Sequence, residues 1–144
     1  MINFSKQHTL ANSYTFKGKG LHTGLSVTMT IKPAKPNTGV LFHRVDLGPD
    51  AYINAVSDYV TTTSRGTTLE KGQVKISTLE HLMATLYGMH IDNVLVEIDA
   101  PEVPILDGSA KFFADAIAAD GIVEQDAERK YLEIKEKICF RDDA

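Results

Sequence analysis

The 144 residues suffice for one compact domain with a single core, and 43% apolar against 24% charged residues is an ordinary globular balance. Fifteen Lys and Arg against 19 Asp and Glu leave a net charge of −4, so the basic footprint of a nucleic-acid binder is absent. The single cysteine, Cys139, excludes an intrachain disulfide, and no apolar run approaches a signal core or a membrane span; a soluble, cytoplasmic protein is the expectation.

The elements follow in chain order. Residues 8–16, HTLANSYTF, alternate loosely with Leu10, Tyr14 and Phe16 on one face and predict a strand. KGKGLHTG (17–24) sets three glycines around Leu21-His22-Thr23 and reads as a loop. In LSVTMTIKP (25–33), Leu25, Val27, Met29 and Ile31 alternate with Ser26, Thr28, Thr30 and Lys32, the pattern of a half-buried strand. PAKPNTG turns the chain, and VLFHRVD (40–46) is expected to return as the partner strand. Short strands are predicted at 51–55 and 56–62, and a hairpin over TTLEKGQVKI (67–76) with its turn near Lys71-Gly72.

The second half predicts a helix over about 77–89, a strand in IDNVLVEIDA (91–100), an extended loop in PEVPILDG (101–108) and a second helix in SAKFFADAIAADG (109–121). The second helix would carry Phe112, Phe113, Ala116 and Ile117 on one stripe, with Asp107 or Ser109 capping its start and Gly121 closing its end. Residues 125–130 then read as a charged linker, and YLEIKEKICF (131–140) as one more strand, with Leu132, Ile134, Ile138 and Phe140 alternating with charged residues. Strands first, then helix, strand, helix predict an α+β layer of two helices on a mostly antiparallel sheet. The predicted divisions are a first domain over 1–124, the linker, and the first strand of a truncated second domain over 131–144.

Glu80 and His81 open the first helix. At about 100° per residue, Leu79, Leu82, Met83 and Leu86 share its core side, His81 points away and Glu80 lies at the edge. Ser77-Thr78-Leu79-Glu80 matches a capping box, which would make Glu80 a structural residue. His81 reads either as an exposed surface histidine or as a ligand. A helix N-terminus keeps an imidazole neutral and so able to bind zinc, and a neighbouring carboxylate can accept a proton from water. No H-E-x-x-H pattern is present, and His8, His22, His43 and His90 stand at no diagnostic ligand spacing.

GLHTG (20–24), STLEHLMATLYGMHIDN (77–93) and APEVPILDGSA (100–110) together resemble the UDP-3-O-acyl-N-acetylglucosamine deacetylases, zinc enzymes of lipid A biosynthesis. The resemblance implies two similar domains in a ribosomal-S5-like α+β layer, with the active site between them. It implies that Glu80 is the general base and His81 one of three zinc ligands. The other two ligands, an H-x-x-x-D pair, and a catalytic histidine would come from the second domain. It further implies a substrate of UDP-3-O-acyl-N-acetylglucosamine and acetate as product, with the present chain a fragment that is inactive alone. His22, in a loop near the family's cleft, is expected to play an accessory polar role. LDGSA is expected to serve as turn and cap, and TTTSRGTTL (61–69) departs too far from the family pattern for residue transfer. The competing reading is a non-catalytic module that docks a partner domain, with Glu80 merely a cap.

Overall fold

The computed structural model describes residues 3–141. Ten strands and two helices follow one another as β1 (Lys6–Leu10), β2 (Tyr14–Lys19), β3 (Ser26–Pro33), β4 (Val40–Arg44), β5 (Tyr52–Asn54), β6 (Val60–Thr62), β7 (Thr68–Lys71), β8 (Val74–Ser77), α1 (Glu80–Gly88), β9 (Val94–Ile98), α2 (Lys111–Asp120) and β10 (Ile122–Glu128). The fold is α+β, as its element order predicts. A five-stranded sheet of order β2-β3-β9-β4-β5 forms the floor, with a three-stranded sheet β6-β7-β8 and a pair β1-β10 beside it. Every strand pair is antiparallel except β4 with β9.

One hydrophobic cluster joins these pieces. The clean alternation of β3 buries Val27, Met29 and Ile31, and β9 adds Val94, Val96 and Ile98. Leu82 and Leu86 of α1 and Phe113 and Ile117 of α2 close over them. Phe113 meets Phe16 of β2 edge to face at 4.8 Å between ring centres. Phe112, expected on the same stripe, is instead 54% exposed.

Four further expectations are corrected. The stretch 8–16 is two strands: the turn residues Asn12 and Ser13 break it, β1 pairing with β10 and β2 with β3. The strand β4 is not the partner of β3. The more continuously apolar β9 takes the central place between them, and the residues from 45 to 93 form the crossover that its parallel pairing with β4 requires. Residues 125–128, read as linker, belong to β10 and hydrogen-bond to β1. Their alternation is hidden because the inward residues are Gln125 and Ala127, while Glu124, Asp126 and Glu128 face solvent. Gln125 accepts a 2.8 Å bond from the buried Asn93 amide, which also donates to Gln7 at 2.8 Å. Lastly, 131–140 forms no strand: Leu132 and Phe140 are 93% and 88% exposed, and the segment has no ladder partner among the described residues. An alternating strand without a neighbour to bond has nothing to hold its register. Residues 142–144 of that expectation lie outside the described residues. No helix of the described residues is long and apolar enough to cross a membrane.

Candidate active site

The start of α1 is built by remote loops, not by its own sequence. Ser77 ends β8; its N–H donates to the Pro101 carbonyl at 2.9 Å, and its own carbonyl accepts from Val103 N–H at 3.1 Å. Thr78 follows with φ +57°, an uncommon conformation for a β-branched residue, and its N–H reaches the Thr67 carbonyl at 3.0 Å. The helix then begins at Glu80, with Leu79 as N-cap and no side-chain cap bond. The capping box expected over residues 77–80 is therefore not formed. The left-handed turn at Thr78 places Ser77 in the sheet and Glu80 at the first helical position, too early to reach back over the turn.

Glu80 is used differently. One carboxylate oxygen, Oε1, accepts the backbone N–H of Thr67 in a short hydrogen bond. The other has no hydrogen-bond partner among the described residues. The carboxylate borders an apolar cleft of about 300 Å³, whose walls include Ala55, Val56, Val60, Leu79 and Met83. A carboxylate with one oxygen anchored and the other free at a cleft is arranged to accept a proton from something in that cleft.

His81 is half-buried, and no ring nitrogen of His81 is engaged in a hydrogen bond among the described residues. Its backbone carbonyl accepts the Thr85 hydroxyl at 2.8 Å, while Leu82, Thr85 and Leu86 form the helix face turned to the core. The imidazole is thus neither sealed in apolar packing nor committed to a partner.

The GLHTG loop is held beside this site by Glu102, a residue the sequence reading did not single out. Glu102 is 1% exposed. Its oxygens accept the His22 N–H at 3.0 Å, the Thr23 N–H at 2.8 Å, the Thr23 hydroxyl at 2.8 Å and the Thr78 hydroxyl at 2.8 Å. Burial alone would raise its pKa, but the N–H groups of Thr23 and His22 and the hydroxyls of Thr23 and Thr78 outweigh it and hold the carboxyl at about 2. Gly20 is required here, because a Cβ on it would lie 2.2 Å from Glu102 Oε2. His22 itself is exposed and its Nε2 lies 3.1 Å from the Arg65 carbonyl. A carbonyl can only accept, so this nitrogen carries the proton and Nδ1 is the acceptor in the neutral ring. The signal for Glu102 was a lone acid within an otherwise apolar, proline-bounded stretch, Ala100-Pro101-Glu102-Val103-Pro104.

The remaining histidines are employed elsewhere. His8 is 2% exposed, His43 stacks on Tyr52 with its Nε2 3.0 Å from the Gly48 carbonyl, and His90 packs edge-on against Phe4. Among the described residues, no three His, Cys, Asp or Glu side chains stand close enough together to hold a metal ion. At the start of α1 the described residues offer a metal a single uncommitted imidazole, that of His81, with Glu80 beside it. That donor set fits one share of a site completed by other residues, not a whole site.

The family model described as UDP-3-O-acyl N-acetylglycosamine deacetylase matches residues 7–144. The chain belongs to this family. It is 50% identical over 136 residues to a UDP-3-O-acyl-N-acetylglucosamine deacetylase of Geobacter sp. (strain M21), covering 94% of this chain and 45% of that protein. It is 50% identical over 139 residues to the bifunctional enzyme LpxC/FabZ of Bacteroides thetaiotaomicron, covering 96% of this chain and 30% of that protein. A deacetylase of the same name from Teredinibacter turnerae is 47% identical over 137 residues, with 95% and 45% covered. The chain thus spans less than half the length of these relatives.

Proposed function

We propose that this chain supplies the base-bearing half of a deacetylase that removes the N-acetyl group of UDP-3-O-acyl-N-acetylglucosamine, an early step of lipid A biosynthesis. The observation that carries this is the arrangement at the mouth of α1: a carboxylate anchored at one oxygen beside an imidazole with no partner, in a chain of this family. Glu80 accepts a proton from the water that attacks the acetamide carbonyl, through the oxygen that Thr67 leaves free. Thr67 N–H fixes the carboxylate's direction. His81 serves as one ligand of a zinc ion. Zinc, when bound, polarises the amide carbonyl and lowers the pKa of water. His22, with its proton fixed on Nε2 by Arg65, presents Nδ1 as an accessory acceptor.

The other two ligands belong, on this reading, to a second domain that covers the exposed segment 131–141. The support is the alternating, unpartnered Leu132, Ile134, Ile138 and Phe140, each 69% exposed or more. The first domain then runs through β10 to Glu128, four residues beyond the division the sequence suggests. A nucleotide-linked sugar substrate places the reaction in the cytoplasm, which the single free thiol also suits.

The test is acetate release from UDP-3-O-acyl-N-acetylglucosamine. A full-length protein carrying this chain hydrolyses it, and the isolated 144-residue chain does not. Robust hydrolysis by the isolated chain, or none by the full-length protein with zinc supplied, contradicts the proposal.

A further inference from the structure

We propose that Glu102 is a positioning residue that locks the GLHTG loop and the start of α1 into one rigid frame around Glu80; the inference rests on the function proposed above.

The geometry closes a loop of hydrogen bonds. Glu102 accepts from His22 and Thr23 on one side and from the Thr78 hydroxyl on the other. Thr78 N–H reaches the Thr67 carbonyl, and Thr67 N–H holds Glu80. Back along the same loop, the Arg65 carbonyl accepts from the His22 ring. Two helical-start residues and two loops that are remote in sequence are thereby tied through one buried side chain. A carboxylate suits this place because all four groups facing it are donors. No Lys, Arg or His side chain pairs with Glu102 in an ion pair among the described residues. An amide of the same shape would turn an NH₂ toward an N–H or hydroxyl that needs an acceptor. The site also tolerates no added bulk, since Gly20 leaves no room for a Cβ against Glu102 Oε2.

Thr78 transmits the constraint. It holds φ +57° two residues before Glu80, and the Glu102 bond helps keep it there. Misplacing a catalytic carboxylate by about 1 Å can cost up to about 100-fold in rate.

The experiment uses the full-length protein, with zinc content, Tm, kcat and KM measured well below each variant's Tm. Glu102→Gln is expected to lower kcat on the order of 10-fold to 100-fold with KM and zinc content little changed. Thr78→Val, which removes the hydrogen bond from the Thr78 hydroxyl to Glu102 just before α1, lowers kcat by a smaller factor, and Thr78→Ser restores it. The double variant Glu102→Gln/Thr78→Val is no slower than Glu102→Gln alone, because both break the same frame. A folded Glu102→Gln with wild-type kcat and a lowered Tm makes Glu102 a purely structural residue and overturns the proposal. Should Glu102→Gln fail to fold, wild-type kcat in Thr78→Val overturns it equally. Glu80→Ala is the control. Loss of activity there together with full activity in both frame variants sinks the frame alone, whereas an unimpaired Glu80→Ala sinks the base assignment and the frame with it.

Discussion

The two helices of this fold start in opposite ways. At α2 the polar groups are spent locally. Ser109 Oγ accepts Lys111 N–H at 3.1 Å, and Asp107 accepts the Ser109 N–H at 3.0 Å and its hydroxyl at 2.8 Å, all in the open. Neither helix has a side-chain cap bond, so the cap expected from Asp107 or Ser109 does not form at α2; at α1, however, the polar groups of Ser77-Thr78-Leu79-Glu80 are not spent on one another at all. Thr78 bonds Glu102, 24 positions on, and Glu80 bonds Thr67, 13 positions back. A helix start that uses its own neighbours is stabilised by them. One whose polar groups are drawn to distant loops is held in place for another purpose, and here one carboxylate oxygen and one imidazole are left over.

The contrast can be broken most severely at Glu80. In a full-length protein, Glu80→Ala should lower the deacetylation rate by ~10²–10⁴-fold, read as acetate released per enzyme. Tm should fall modestly, since the Thr67 N–H loses its acceptor although no helix cap is lost. Next comes Gly20→Ala, which drives a Cβ toward Glu102 Oε2 and Thr23 Oγ1, 2.2 and 2.3 Å away. Overpacking of this kind costs about 1–3 kcal/mol, and the loss should appear as a lowered midpoint in urea.

A graded acid effect follows from the depressed Glu102 carboxyl. Its folded pKa of about 2 lies below the ordinary value of 4.5, so its contribution is fully present above about pH 4.5. It is lost as pH falls toward 2. The stability difference between wild type and Glu102→Gln should therefore shrink across that window and stay constant from pH 5 to 7. The smallest effect is at α2, where Ser109→Ala, which removes exposed local hydrogen bonds to Lys111 N–H and Asp107, should cost about 1 kcal/mol or less and leave the catalytic rate unchanged.

Strong periodicity made much of the fold legible. The alternation of β3, the β-branched run of β9 and the glycine turn of the β7–β8 hairpin all appear where the residues place them. What stayed hidden depended on partners remote in sequence. Whether β4 or β9 lies beside β3 is decided by which strand buries more apolar surface at the centre, and spacing carries no such information. β10 escaped because its inward positions are Gln and Ala, whose worth lies in a polar network around Asn93. At the site, Glu80 and His81 were visible as residues out of place on an amphipathic helix. The Thr67 anchor and the Glu102 clamp were not, because one is a backbone N–H and the other an acid in a proline-rich loop. The uncommon φ of Thr78, which abolishes the apparent capping box, leaves no mark in the sequence.

The most direct test separates proton transfer from metal binding at the mouth of α1. Zinc content and acetate release are measured side by side in the full-length protein, in Glu80→Ala and in His81→Ala. Glu80→Ala should retain zinc and lose the reaction, while His81→Ala should lose zinc, with the reaction lost alongside it. Full zinc occupancy and an undiminished rate in His81→Ala would contradict the account.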